Sequence, residues 1–249
     1  MLTFKNVTFQ YPEDTAPMMK NLSFHVEAGE FVSLIGASGC GKSTVFRLIN
    51  RLLEPQDGEI FVDGREIHTI QRYAGYMPQK DLLFPWRTVE KNLCLPMEIQ
   101  KIGGEEQKRK VTDVLEQVGL ESYRNKYPKD LSGGMRQRIS FARTLLTDAD
   151  LMLLDEPFSA LDALTRMDMQ EWLLHQWEHF HKTILFITHD VEEAVFLSKK
   201  IYIIAEAPMT RLEVVEVPEG YPRNREFLQR PDIEALKEKL TRQLRKQVN

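Results

Sequence analysis

Two stretches of this 249-residue chain carry the residue types of a phosphate site. The first is GASGCGKS, made of Gly36, Ala37, Ser38, Gly39, Cys40, Gly41, Lys42 and Ser43, and it fits G-x-x-x-x-G-K-[ST]. Its glycines let the backbone fold tightly and present N–H groups to phosphate oxygens. Lys42 can reach β- and γ-phosphates, and Ser43 can supply a hydroxyl to Mg2+. Cys40 matters there for its backbone, and its thiol is read as incidental. The second stretch is LSGGMRQR, residues 131–138. Ser132 stands where a helix N-cap would, and MRQRISFARTLL continues in helical pattern. Gly133 and Gly134 offer N–H groups with no side chain in the way, and such a helix start attracts an anion. Why one small chain should build two cradles is the question its sequence raises.

An acid pair completes the first cradle. In LMLLDEP, four apolar residues bury a strand and deliver Asp155 at its carboxyl end, where ligands of open α/β sheets sit. Asp155 is suited to a Mg2+ shell, and Glu156 is free to polarise a water. A kinase or a GTPase could share these features, so they imply nucleotide binding and no more. His175, His179 and His181 lie on a helical pattern without an acid or thiol partner placed with them. They read as a solvated helix face.

The elements that must hold these groups can be read from periodicity. Residues 2–11 and 22–27 read as early strands, and FVSLIG (31–36) as a buried strand ending in the glycine loop. KSTVFRLINRLLEP has apolar residues at Val45, Leu48, Ile49, Leu52 and Leu53, which predicts a helix ended by Pro55. EIFVDG and YAGYMPQ (73–79) predict further strands. From about 82 to 150 the pattern is mostly helical and reads as an inserted lobe. LMLLD (151–155), TILFIT (183–188) and KIYIIAE (200–206) return to strands, and EALKEKLTRQLRKQ closes the chain as a charged amphipathic helix. Strands alternating with helices imply an α/β fold, a largely parallel sheet with helices on both faces.

Bulk properties bound the possibilities. At 42% hydrophobic and 28% charged residues the chain can bury a core. A net charge of −4 gives no basic field to favour nucleic acid. The opening MLTFKNVTF alternates like a strand, so no leader is expected, and no apolar run is long enough to span a bilayer. Two cysteines, Cys40 and Cys94, make no disulfide framework and read as reduced thiols.

The motifs together resemble an ATP-binding cassette (ABC) ATPase over roughly residues 1–210: the glycine loop, Gln79 in MPQK, LSGGMRQR, LMLLDEP, SALD at 159–162, and His189 in ITHD. The resemblance implies a P-loop NTPase with a mainly parallel sheet, a small antiparallel β part and the inserted helical lobe, with 211–249 as a C-terminal strand and helix extension. It implies that ATP and Mg2+ are held by Lys42, Ser43, Thr44 and Asp155, and that Gln79 contacts Mg2+ and the attacking water. Glu156 would be the general base and His189 the switch histidine on the γ-phosphate. Asp162 would touch the opposite subunit. Tyr11 resembles the residue that stacks on adenine, although Phe9 and Tyr11 also fit a simple strand core. In the family two domains pair head to tail, and the LSGG helix of one caps the nucleotide held by the other. The second cradle would then serve the neighbour's nucleotide, in a homodimer or with a paralogue.

KDLLFPWRTVEKN (80–92) crowds Leu82, Leu83, Phe84, Pro85 and Trp86 into a loop pattern. It reads either as the core of the lobe or as an exposed apolar socket, which in the family receives a short helix from a membrane subunit. LLFPWRTVEKN, FSALDALTRMDMQ and FITHDVEEAVFLS are similar to import ATPases of the nitrate/sulfonate/taurine group, which includes carriers of thiamine precursors. That implies a peripheral protein at the cytoplasmic membrane face, with integral permease subunits and, indirectly, an extracytoplasmic solute-binding protein. A non-transport cassette, such as an Fe–S assembly factor, stays open at this point.

Overall fold

In the computed structural model of the chain, residues 1–218 and 220–245 are described. The chain opens with β1 (Leu2–Phe9) and β2 (Met19–Val26), then β3 (Phe31–Ile35), α1 (Lys42–Ile49), β4 (Asp57–Val62), β5 (Arg65–Glu66) and β6 (Ala74–Met77). Three helices follow, α2 (Val89–Ile99), α3 (Gly104–Gln117) and α4 (Gly133–Leu145). The remainder is β7 (Leu151–Asp155), α5 (Ala163–Phe180), β8 (Thr183–Ile187), α6 (Val191–Leu197), β9 (Lys200–Ile204), β10 (Leu212–Glu216) and α7 (Pro231–Arg245).

These strands form two sheets. A four-stranded antiparallel sheet runs β2-β1-β4-β5, and a six-stranded sheet runs β10-β9-β3-β8-β7-β6. In the larger sheet every pairing is parallel except β10 with β9 at the edge. β3, β7 and β8 are buried throughout, which is why FVSLI, LMLLD and TILFI are near-continuous apolar runs rather than alternating ones. The side-chain period of two then divides them. Phe31, Met152, Leu154, Ile184 and Phe186 pack with α5, α6 and α7 on one face. Val32, Leu34, Leu151, Leu153, Leu185 and Ile187 pack on the other with Val45 and Phe46 of α1 and with Leu2, Phe4 and Ile60 of the antiparallel sheet. Helices on both faces were expected; α1 shares its face with the antiparallel sheet.

A third apolar cluster joins α2 and α3 to one side of α4, through Leu93, Met97, Val111, Leu115, Ile139 and Ala142. Phe141 of α4 instead enters the core under the sheet. α4 is therefore the beam between the helical region and the sheet. The stretch after 210 is tied to the same sheet core by Val217, Phe227, Leu228, Ile233 and Leu240. Glu219 and residues 246–249, including Lys246 and Gln247 of the expected terminal helix, lie outside the described residues.

α1 corrects the sequence reading. It stops at Ile49, well before Pro55. Arg51 adopts a left-handed φ of 54°, Leu52 N donates to Arg47 O at 2.8 Å, and Arg51 N donates to Leu48 O at 3.1 Å. This double closure satisfies the last carbonyls and turns the chain away. Leu52, expected on the buried stripe, is 67% exposed as a result.

Candidate active site

The glycine loop sits between the carboxyl end of β3 and α1. Gly39 and Gly41 take φ values of 79° and 103°, a region that costs other residues roughly 1–2 kcal/mol. With those turns in place, Lys42 Nζ donates to Gly36 O and Ala37 O, both at 2.9 Å, so the ammonium spans the loop. Among the described residues, the N–H groups of Ser38, Gly39, Gly41, Ser43 and Thr44 donate to no protein acceptor. A lysine ringed by unpaired amides at a helix start fits a polyphosphate. Cys40 is more than incidental: a Cβ at Gly36 would lie 2.7 Å from its sulfur, so the thiol fills the loop's inner side, and burial pushes its pKa up.

Tyr11 reaches this loop. Its hydroxyl lies 3.0 Å from Thr44 Oγ1 and accepts from Arg47 Nη1 at 3.2 Å. The two sequence alternatives are divided between neighbours: Phe9 is buried core, while Tyr11 is half-buried with its ring edge against Phe9.

Asp155 ends β7 and is buried. Burial pushes its carboxyl above the usual range and the charge of Glu156 adds to that, while a hydrogen bond from Tyr76 and the charges of Lys42 and Arg47 oppose it. A divalent cation beside such a carboxylate would favour its ionised form, so the donor set suits Mg2+. Tyr76 Oη donates to Asp155 Oδ2 at 3.1 Å, and its own pKa is pushed up to about 12, chiefly by burial. Sequence reasoning missed Tyr76; the one available signal was its place in a strand that runs into Gln79.

Gln79, Glu156 and His189 follow the carboxyl ends of β6, β7 and β8, three neighbouring parallel strands. Gln79 Nε2 donates to Glu156 Oε2 at 3.2 Å, and His189 Nδ1 lies 3.3 Å from the same oxygen. With Nδ1 donating, Nε2 makes no bond among the described residues and is left for a ligand. Gln79 Nε2 also reaches Ser159 Oγ at 3.3 Å. Ser159 belongs to SALD, but nothing in that motif signals its contact with Gln79. Glu156 itself has a φ of 44°, a strained backbone for a residue with a side chain. Its N–H is anchored on Ile187 O at 2.9 Å, which holds the turn.

The second cradle lies elsewhere. Ser132 Oγ accepts from Met135 N at 3.2 Å, the cap that its position predicts. The glycines, however, face protein. A Cβ on Gly134 would come 2.9 Å from Thr165 Cγ2, and one on Gly133 would come 3.2 Å from Leu161 Cδ2. Their small size lets α4 approach the start of α5. Asp162 caps α5, with Oδ1 accepting from Thr165 N at 3.1 Å and Oδ2 accepting from Thr165 Oγ1 at 2.7 Å. Those bonds hold its pKa below the usual range. Among the described residues no hydrogen bond or ion pair joins Ser132, Gly133 or Gly134 to residues 36–44. Tyr11, the glycine loop, Asp155, Gln79, Glu156 and His189 thus gather at one end of the large sheet, while Ser132, Gly133, Gly134 and Asp162 lie where the start of α4 meets the start of α5, with Ser132 exposed and Gly134 buried.

The 82–86 stretch is also divided. Leu83 enters the core of the helical region, whereas Leu82 and Trp86 are 59% and 71% exposed. Buried Asn92 pins the loop, donating to Phe84 O, Arg87 O and Thr88 O and accepting from Phe84 N. A groove of about 280 Å3 lined by Tyr76, Pro96, Ile99, Gln100, Arg143 and Thr147 lies between α2, α4 and β6. His175, His179 and His181 are exposed on or just after α5.

Comparison with known proteins agrees with this geometry. The ABC transporter family profile matches residues 19–159. The chain is 43% identical over 226 residues to the formylaminopyrimidine import ATP-binding protein ThiZ of Halalkalibacterium halodurans, covering 91% of this chain and 88% of that one. It is 42% identical over 217 residues to the aliphatic sulfonates import ATP-binding protein SsuB of Bacillus thuringiensis subsp. konkukian, covering 87% and 85% respectively. Among solved structures it is similar to the dimeric post-hydrolysis state of the ATP-binding cassette MJ0796 bound to ADP and Pi, with a TM-score of 0.73, 29% identity, and 89% of this chain and 100% of that one covered. With its glycine loop, its acid pair and its LSGG helix in one fold, the chain belongs to the ABC transporter family, as one of its ATP-hydrolysing cassettes.

Proposed function

We propose that this chain is the ATPase subunit of an importer for a small organic or inorganic solute of the sulfonate, nitrate or thiamine-precursor kind, acting at the cytoplasmic face of a membrane. The observation that carries the hydrolytic part is the single oxygen Glu156 Oε2 held by both Gln79 and His189. In this reading Glu156 takes the proton of the attacking water, and Gln79 orients that water. His189 presents Nε2 to the γ-phosphate. The loop amides of 36–44 and Lys42 bind the phosphates, and Tyr11 meets the base. Ser43, Gln79 and Asp155 would hold Mg2+, which would supply positive charge against the phosphates.

Ser132, Gly133, Gly134 and Asp162 complete the site of a second copy, since they make no bond to the loop of their own chain. ATP then favours the closed pair and its products the open one, a population shift by differential affinity. The exposed Leu82 and Trp86, with the groove between α2 and α4, would receive an integral permease subunit, and a solute-binding protein would act through that permease. The relatives named as import ATP-binding proteins support this reading over a non-transport cassette. Among the described residues no helix is long and apolar enough to cross a membrane.

Glu156→Gln tests the core of the proposal. ATP binding should persist and turnover should fall by about 10²–10⁴-fold, the usual contribution of a general base. ATP should then accumulate a dimer on size-exclusion chromatography. Wild-type turnover in that variant, or full activity in a strict monomer, would refute it.

A further inference from the structure

A buried polar network stands behind His189, and none of its members was singled out by the motifs. Thr188 is 1% exposed; its Oγ1 donates to Glu193 Oε2 at 2.6 Å and accepts from Asp190 N at 3.0 Å. Glu193 N also donates to Asp190 Oδ1 at 3.2 Å, so both residues flanking His189 are tied to Glu193. Its other oxygen, Oε1, accepts from Gln170 Nε2 of α5 at 3.0 Å and lies 4.0 Å from Arg166 Nε. Arg166 Nη2 donates to Leu161 O at 3.0 Å, the carbonyl just before Asp162. From the C-terminal segment, Arg225 Nη2 donates to Gln170 Oε1 at 2.9 Å and to Met167 O at 2.7 Å, and its guanidinium lies over the Phe196 ring at 4.4 Å.

Such a network is poorly explained by stability. Glu193 is 6% and Gln170 4% exposed, and a buried charge of this kind is often replaceable by apolar residues at no cost. What a buried polar network supplies is a fixed arrangement of the groups it joins; here the hydrogen-bonded part runs from Thr188 through Glu193 to Gln170 and Arg225, while the step to Arg166 is an ion pair whose Nε has no hydrogen-bond acceptor. Here those groups are two loops: Thr188–Asp190, which carries His189, and Leu161–Asp162, which faces the surface of the second cradle. His189 itself is 62% exposed at its side chain and, among the described residues, has only Glu156 as an ion-pair partner. Its loop therefore has to be positioned from behind.

We propose that Glu193 is a positioning residue for ATP hydrolysis. It ties the His189 loop to α5 through Gln170, which the segment around Arg225 braces, and its ion pair with Arg166 reaches on to the Leu161–Asp162 loop. This gives the stretch after residue 210 a role in turnover. The proposal rests on the reading of His189 as the γ-phosphate contact.

Steady-state ATPase assays on the full chain test it. Glu193→Gln should lower kcat by about 10- to 100-fold, the range seen for outer-shell groups at metal centres, with KM for MgATP changed by no more than about twofold. The exchange Glu193→Gln with Gln170→Glu puts the amide and the carboxylate back in contact and keeps an acceptor for Arg225. It should recover kcat to within about threefold of wild type, which a merely structural loss would not do. Wild-type kcat in Glu193→Gln, or a double exchange no better than the single variant, would overturn the proposal. If Glu193→Gln does not fold, Thr188→Val severs the link without changing charge and should show the same fall in kcat; normal turnover there also overturns it. His189→Ala, run in parallel, separates the two levels. If it keeps wild-type turnover, the reading of His189 fails and takes the proposal with it. If it is impaired while Glu193→Gln is normal, only the positioning role fails.

Discussion

The two glycine-bearing cradles use the same residue for opposite reasons. In the loop at 36–43, Gly39 and Gly41 are needed for their left-handed backbone, and the space beside Gly39 is empty. In the LSGG stretch neither glycine has a positive φ, and Gly134 is needed because Thr165 leaves no room for a Cβ. The first cradle has its own cation in Lys42 and a row of unpaired amides. The second has a serine cap and a helix dipole, and among the described residues no lysine or arginine side chain bonds to Ser132. On the proposed reading the first cradle binds phosphate with groups of its own chain, and the second would act on the nucleotide of a neighbour.

The largest effect should come from separating the cradles onto different chains. Lys42→Ala removes the first, and Gly133→Asp places a carboxylate at the second. Each alone should lose at least about 10²-fold in turnover, the loss typical of removing one charge-stabilising donor. An equimolar mixture should regain about a quarter of the wild-type sites, because random pairing makes half the dimers mixed and each of those has one sound site. A mixture as inactive as its components would mean that the cradles do not act across a dimer.

Smaller effects should distinguish the two glycine roles. Gly39→Ala and Gly134→Ala should each destabilise the chain by about 1–3 kcal/mol in thermal melts, the first through backbone strain and the second through overpacking. Adding Thr165→Ser removes the clashing methyl but keeps the hydroxyl on Asp162. It should rescue Gly134→Ala and leave Gly39→Ala unchanged; equal rescue of both would erase the distinction.

Asp155 tests how complete the first cradle is without its cation. Burial raises its folded pKa above the unfolded value, so its contribution favours the fold below the unfolded pKa and is lost as pH rises through the folded one. At neutral pH the nucleotide-free protein carries this cost. Asp155→Asn should therefore raise its Tm by about 2–4 °C, the shift that ~1 kcal/mol gives in a chain of this size, while abolishing Mg2+-dependent turnover. A lower Tm in Asp155→Asn would show that the carboxylate is stabilised by its neighbours after all.

The smallest effect on the isolated chain belongs to Trp86, away from both cradles. Trp86→Asp should leave soluble ATPase activity and stability within about 0.5 kcal/mol of wild type, as surface substitutions do. Transport in the assembled complex should be lost. Normal transport by that variant would remove Trp86 from the docking surface.

Local chemistry made much of this legible in advance. The Ser132 cap, the glycine turns at 39 and 41, and the buried runs of β3, β7 and β8 depend on neighbours a few residues away. The overextended α1 shows the limit: its apolar spacing continues to Leu53, but the turn at Arg51 ended the helix earlier. Pattern alone does not report which of two local closures is lower in energy. The distinction between Leu83 and its neighbours Leu82 and Trp86 was likewise invisible, because burial depends on what packs from α2 and α4.

By itself the sequence determined the fold class, the first cradle and the identity of the groups able to do phosphate chemistry, since motif, turn and strand period are properties of contiguous residues. Only the tertiary structure decided that Gln79 and Glu156, 77 residues apart, share one carboxylate oxygen with His189. It alone decided that Tyr76 meets Asp155, that Gly134 fits under Thr165, and that Glu193 ties the loop behind His189 to α5. Those contacts join separate elements of the chain, and their geometry follows from how sheet and helices pack, which no local pattern encodes.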